Sequence, residues 1–358
     1  MSNKKIILSG GGTLGSVAPL LAITESYKKI HPETEFIWVG TKNGPERELV
    51  EKYQIPFFVI SAGKWRRYFS LQNFVDITKV VIAFFQSWFL LKKLKPDLLI
   101  SVGGFVSVPL HWMAALLGIP TWVHQQDVRP GLANRLMAWR ANKISVALEI
   151  SLGYFKKAEW IGNPVRDLSV KNYLYSKAKF NIPEKSITIF ALGGGTGSTR
   201  INQMIVESLG NWPADWHVIH LLGKDRPQDA VVNAIKLFPN YHAYEFFTEE
   251  IRDAYAAADV VICRAGFATL TELASLKKPA IVIPMPDSHQ EANAQHLAEE
   301  KAVIYFDQRI ATGVKLSKTV SDLIADPVGR ELMAKRLHEI LPATEEEKII
   351  QIIDTLLK

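Results

Sequence analysis

The sequence predicts an α/β protein of two consecutive units, each a doubly wound parallel sheet. Three observations carry that prediction. Short apolar, β-branched runs alternate with helical patterns along the whole chain. Most of these runs are apolar nearly throughout, with little polar alternation, which suits parallel strands covered on both faces. A glycine-rich turn also follows an apolar run twice, as IILSGGGTLGS at Ile6 to Ser16 and as IFALGGGTGST at Ile189 to Thr199. The length of 358 residues is that of about two domains.

The elements follow in order. Strands are expected at KKIILSG, EFIWVG, PFFVI, DLLISVGG, PTWVH and KISVAL in the first half. The second half offers SITIFALGG, WHVIHLLG, YHAYEFF, ADVVICRAG, PAIVIPM and AVIYF, with helices of roughly 10–20 residues between strands. The boundary is placed at IGNPVRDLSV, giving domains 1–163 and 164–340. The tail ATEEEKIIQIIDTLLK reads as an amphipathic helix with an acidic first turn. Residues 341–358 are expected to pack back on the first domain.

Apolar residues make up 48%, enough for a full core in each half. The single cysteine, Cys263, lies inside an apolar run and excludes an intrachain disulfide. No signal-like apolar stretch precedes the first strand, so a cytoplasmic location is the default. The net charge of +6 suits phosphorylated ligands, nucleic acid or an anionic membrane. No basic stripe interleaves with aromatics on a recognisable module, so no nucleic-acid partner is expected.

In an open parallel sheet, ligands sit at the carboxyl ends of the strands. A glycine-rich turn there brings backbone N–H groups close to a ligand, and the following helix start favours phosphate. Two such turns predict phosphorylated groups held from both units. The first turn formally matches the dinucleotide pattern GxGxxG, but the second strand ends FIWVGTKNG without the ribose-binding carboxylate. The second turn has Ser198 at the third glycine position. NAD and FAD are therefore not expected. Other polar clusters fall at predicted strand ends: SVGGFVS, VHQQDVRPGLANR, IGNPVR, CRAGFATLTELA and PMPDSHQEANAQH.

Taken together, these segments resemble the MurG family, the UDP-N-acetylglucosamine–lipid I N-acetylglucosaminyltransferases of peptidoglycan synthesis. The ordered series GGGTLGSVAPLLA, SVGGFVSVP, GIPTWVHQQDVRPGLANR, IGNPVR, LGGGTGSTRIN, ADVVICRAGFATLTELA, PAIVIP and HQEANA carries the resemblance from about Lys5 to Phe306. It implies the GT-B fold, with two Rossmann-like domains facing a cleft. It also implies inverting transfer of GlcNAc from UDP-GlcNAc to the muramyl C4 hydroxyl of lipid I. The resemblance places Thr13, Leu14, Gly15, Asp127, Arg166, Gly195 and Thr248 at the sugar nucleotide. It adds Phe267, Ala268, Thr269, Leu270 and Thr271 at a helix start, Glu272 at the ribose and Gln290 at the transferred sugar. Gly11, Gly12, Gly103, Gly104 and Gln125 would line the acceptor side, where a polyprenyl-linked muramyl peptide would bind.

The chain departs from the family pattern at defined places. The family's GGTGGH appears as GGTLGS, with Ser16 for the histidine, and its HEQN appears as HQQD. The base is therefore sought among Asp127, His124 and Ser16; a hydroxyl serves only if another group activates it. The chain has no DxD pair and no histidines at ligand spacing, so neither a metal nor another cofactor is expected. Two other readings stay open: a related enzyme with another lipid acceptor, such as diacylglycerol, and a non-catalytic UDP-sugar-binding protein.

The segment from Lys64 to Lys95 mixes aromatics with Lys and Arg. Only twelve residues separate Lys79 from Lys92, against the roughly 20 needed to span a bilayer. An interfacial helix is expected, with one face packed and Trp65, Phe69, Phe85 or Trp88 meeting an anionic leaflet. The protein would then sit peripherally on the cytoplasmic face of the plasma membrane.

Overall fold

The computed structural model describes residues 3–358 except 12–13, 45, 62–71, 171, 225 and 227–228; for residues 14 and 72–79 it describes the backbone alone. The chain forms two compact units: Met1–Arg166 with Ala343–Lys358, and Asp167–Pro342.

The first unit contains β1 (Lys5–Ser9), α1 (Val17–Ile30), β2 (Glu35–Gly40), α2 (Glu46–Lys52), β3 (Phe57–Val59) and α3 (Gln72–Leu94). It continues with β4 (Leu98–Ser101), α4 (Ser107–Leu116), β5 (Thr121–Gln125), α5 (Leu132–Ala138), β6 (Lys143–Val146) and β7 (Ala158–Trp160). The sheet order is β3-β2-β1-β4-β5-β6-β7, and every pair is parallel. Alternation along β1 splits the core into two layers. Ile6 and Leu8 pack with Leu20, Ile23 and Tyr27 of α1, while Ile7 packs with Leu91 of α3 and Leu110 of α4. Strand β7 was not anticipated. It is a three-residue edge strand carrying Glu159, too short and too polar for an apolar run to announce it.

Helix α3 buries Ala83, Ser87 and Leu91, one residue per turn on one stripe, and the Ser87 hydroxyl donates to the Ala83 carbonyl at 2.7 Å. Its other side leaves Val81, Ile82, Phe85 and Phe89 exposed, the two phenylalanines at 64%. Trp88 is half-buried beneath the Lys92 ammonium, 4.4 Å from the ring centroid. Trp65 and Phe69 lie outside the described residues. Among the described residues no helix is long and apolar enough to cross a membrane.

The second unit contains α6 (Tyr173–Lys179), β8 (Thr188–Leu192), α7 (Thr199–Ser208), β9 (His217–Leu221), α8 (Asp229–Leu237), β10 (Tyr241–Tyr244) and α9 (Ile251–Ala257). Then follow β11 (Val260–Cys263), α10 (Phe267–Ser275), β12 (Ala280–Val282), α11 (His289–Glu299), β13 (Ile304–Tyr305), α12 (Gly313–Ala325) and α13 (Pro327–Ile340). Its parallel sheet runs β10-β9-β8-β11-β12-β13. The last helix, α14 (Glu346–Leu356), belongs to the first unit. Its Ile349, Ile352 and Ile353 enter the core with α1, and its Asp354 accepts a 2.9 Å hydrogen bond from the Tyr27 hydroxyl.

Candidate active site

In the first unit the loops after β1 and β4 meet through bare backbone. Gly104 has φ +97°, and a Cβ on it would lie 3.1 Å from both N and O of Gly11. Gly103, at φ +130°, faces the Asn134 side chain. Only glycine tolerates both the angle and the approach. Ser16 ends a 3-10 turn that begins at Leu14 and contains Gly15, and it is buried beside Gly10. Gly12 and Thr13, and the side chain of Leu14, lie outside what is described.

The end of β5 carries a buried polar network. His124 is fully buried; its Nε2 donates to Asn163 Oδ1 at 2.8 Å, and its Nδ1 lies 2.9 Å from Ser145 Oγ. Ser145 in turn accepts from the Trp122 indole at 2.7 Å, so its hydroxyl proton points to His124. Burial holds the imidazole down at about 4, partly offset by the Asn163 hydrogen bond. The ring is neutral and both nitrogens are engaged. Gln126 adds a donor to Asn163 Oδ1 at 3.3 Å. Gln125 Nε2 donates to the Asp127 carbonyl at 2.6 Å, and Gln125 Oε1 accepts from Asn134 Nδ2 at 2.6 Å. Asp127 is half-buried, and it does not cap α5, whose N-cap is Gly131.

The second unit uses different groups. Gly197, at φ +69°, nests against the loop after β9: a Cβ there would lie 2.0 Å from the Leu222 carbonyl oxygen. Ser198 caps α7 by accepting from the Ile201 N–H. Arg264 follows β11 directly and ties three strand ends together. It donates to Ser198 Oγ at 2.7 Å and to the carbonyls of Ile283 and Pro284 at 3.0 and 2.9 Å. Burial lowers this guanidinium to about 10, so it stays charged at neutral pH. Helix α10 opens at Gly266, which offers no side-chain oxygen to its first-turn N–H groups. That turn holds Phe267, Ala268, Thr269 and Leu270, and the Thr271 hydroxyl bonds back to the Phe267 carbonyl at 2.9 Å. Glu272 is 7% exposed and accepts from the Tyr255 hydroxyl at 2.8 Å. A cluster of backbone N–H groups, a half-buried cation and a set carboxylate suits a nucleoside diphosphate.

Both units match one family in sequence. Residues 6–146 match the glycosyltransferase family 28 N-terminal domain, and residues 188–351 match its C-terminal domain. The chain belongs to glycosyltransferase family 28. It is a glycosyltransferase with two parallel-sheet α/β units of the GT-B kind. It is 36% identical over 330 residues to a Clostridium perfringens UDP-N-acetylglucosamine--N-acetylmuramyl-(pentapeptide) pyrophosphoryl-undecaprenol N-acetylglucosamine transferase, covering 90% of this chain and 91% of that one. A Legionella pneumophila protein of the same name is 33% identical, covering 97% and 96%. The crystal structure of Acinetobacter baumannii MurG matches with a TM-score of 0.77 at 25% identity, covering 99% of each chain.

For a family 28 glycosyltransferase, the remaining sequence-predicted residues fall as follows. Arg166 is half-buried, at the last residue of the first unit's opening stretch. Gly195 lies in the turn after β8, and exposed Thr248 follows β10 and donates its N–H to Glu250 at 3.1 Å. Gln290 accepts from the Met285 N–H at 3.0 Å and so braces the loop after β12. Among the described residues no three His, Cys, Asp or Glu side chains are placed to hold a metal ion. The sequence assigned no role to Arg264. Its one signal was a cation set between an apolar strand and the glycine of a helix start.

Proposed function

We propose that this protein transfers GlcNAc, with inversion, from UDP-GlcNAc to the muramyl C4 hydroxyl of a polyprenyl-linked muramyl-peptide acceptor. The observation that carries the reading is the phosphate-suited strand-end cluster of residues 167–342, with Glu272 less than two turns inside α10. The relatives' shared name supplies the donor and acceptor. In this reading the α10 N-terminus and Arg166 meet the diphosphate, Glu272 accepts the ribose hydroxyls, and Gln290 meets the sugar. Asp127 takes the proton of the C4 hydroxyl, whose oxygen attacks the anomeric carbon. UDP departs with the bonding electron pair, and its charge falls to the helix start and guanidinium. His124 positions Asn163 and is not the base, because neither ring nitrogen is open. Binding to the anionic cytoplasmic leaflet runs through the exposed face of α3.

The altered first turn, with Leu14 and Ser16, favours a second reading in which the acceptor is another lipid. The test is transfer of labelled GlcNAc to a soluble lipid I analogue and to diacylglycerol, for the wild type and Asp127→Asn. Labelled disaccharide lipid, reduced about 100-fold or more in Asp127→Asn, is expected for a lost general base. Label in diacylglycerol alone would change the acceptor. UDP binding without any transfer would remove catalysis from the assignment.

A further inference from the structure

We infer that Gln125 is a positioning residue for Asp127, acting through the main chain and braced by Asn134. The inference rests on the reading of Asp127 as the base. The Asp127 carbonyl carries only lone pairs, so the 2.6 Å contact fixes the Gln125 amide with its NH2 group toward it. Gln125 Oε1 must then accept, which turns the Asn134 NH2 group toward it, also at 2.6 Å. One carbonyl thus orients two buried amides in series. Both side chains are at least nine-tenths buried, Gln125 at 1% and Asn134 at 6% exposure. The chain of contacts ends at Asn134 Oδ1, which is buried without a partner and faces Gly103.

That orphaned oxygen shows which contact the network serves. Turning the Asn134 amide over would set its oxygen against Gln125 Oε1. Turning both would set Gln125 Oε1 against the Asp127 carbonyl. The arrangement leaves an acceptor unsatisfied at Asn134 and keeps the donor at Asp127. A carboxylate at position 125 could not do this, because an ionised carboxylate has no proton to donate. An amide at 125 and a carboxylate at 127 therefore work as a matched pair: the first pins the backbone that carries the second.

The experiment measures kcat, KM for UDP-GlcNAc and the pH–rate profile of the full-length protein, as wild type, Gln125→Glu, Gln125→Met and Asn134→Ala. Gln125→Glu is expected to lower kcat by at least about tenfold with little change in KM. It should also move the acidic limb to higher pH, since a second carboxylate beside Asp127 disfavours its ionised form. Gln125→Met is expected to lower kcat without moving the limb, and Asn134→Ala to give a smaller loss in the same direction. Asp127→Asn runs in parallel. If it keeps full turnover, the base assignment fails. If it is inactive while all three other variants, folded by circular dichroism, keep wild-type kcat and limb, the positioning role alone fails. If Gln125→Glu does not fold, Gln125→Met and Asn134→Ala decide by the same kcat criterion.

Discussion

At the carboxyl ends of its strands, the first unit gathers neutral amides and an imidazole, whereas the second gathers a guanidinium, glycine backbone and an uncapped helix start. In the first unit the polar groups bond mainly to one another, His124 with Ser145 and Asn163, and Gln125 with Asn134 and Asp127, with Asn134 Oδ1 left over. In the second, Arg264 and the backbone around Gly197 hold the loops, and α10 starts at Gly266 without a side-chain cap. Neutral amide networks fix a hydroxyl or a base in place. Fixed positive charge and N–H groups receive an anion. The strand ends of the two units, each with a glycine-rich turn of similar sequence, thus carry different polar groups.

The sharpest way to break the contrast is at Gly197. Gly197→Ala puts a Cβ where the Leu222 oxygen sits, at a backbone angle that L residues avoid. A loss of about 3 kcal/mol or more is expected, read as a lower midpoint in urea unfolding. The equivalent change at Gly131, where a Cβ meets nothing within 4 Å, should be tolerated far better.

Buried histidines sharpen it next. His124 and His220 are partnered on both nitrogens, His220 by Tyr241 and Asn202. His111 on α4 is equally buried and has no partner on either nitrogen. Burial lowers His124 to about 4 and the other two to about 3, from 6.5. The unfolded chain therefore binds more protons below pH 6.5. Their contribution is full above that pH and is lost as pH falls, toward about 4 for His124 and about 3 for the other two. His111→Leu is expected to raise stability by about 1–3 kcal/mol and flatten this fall, checked by melting curves between about pH 7 and pH 5.

At Arg264 the cation and its fork can be separated. Arg264→Lys keeps the charge but cannot reach Ser198, Ile283 and Pro284 together. A rise of roughly tenfold in KM for the UDP-sugar is expected, with kcat little changed. The smallest effect lies outside both strand-end sites. Phe85→Ser on the exposed side of α3 should weaken binding to anionic vesicles roughly threefold while leaving the melting curve unchanged.

Much of the fold was legible because parallel strands buried on both faces are written as continuous apolar runs. EFIWVG became β2 and DVVICRAG became β11 by that rule. The tail helix was legible from its period, which puts Ile349, Ile352 and Ile353 on one side. Strand β7 was not, since an edge strand of three residues needs no apolar run. The glycine turns were legible as strand-end turns. The contact of Gly104 on Gly11 was not, because it joins segments far apart in sequence. The wiring of Gln125 to Asp127 and Asn134 was equally hidden: amides at those spacings are compatible with many orientations, and the carbonyl that selects one is main chain.

The placement of α14 bears on how the chain is made. Its isoleucines cover α1, yet residues 167–342 lie between the two helices in sequence. On a ribosome, residues 167–342 are joined before α14, and until then Leu20, Ile23 and Tyr27 lack that neighbour. The unit synthesised first is therefore the one that finishes last, and its uncovered helix is the surface a nascent-chain chaperone would meet.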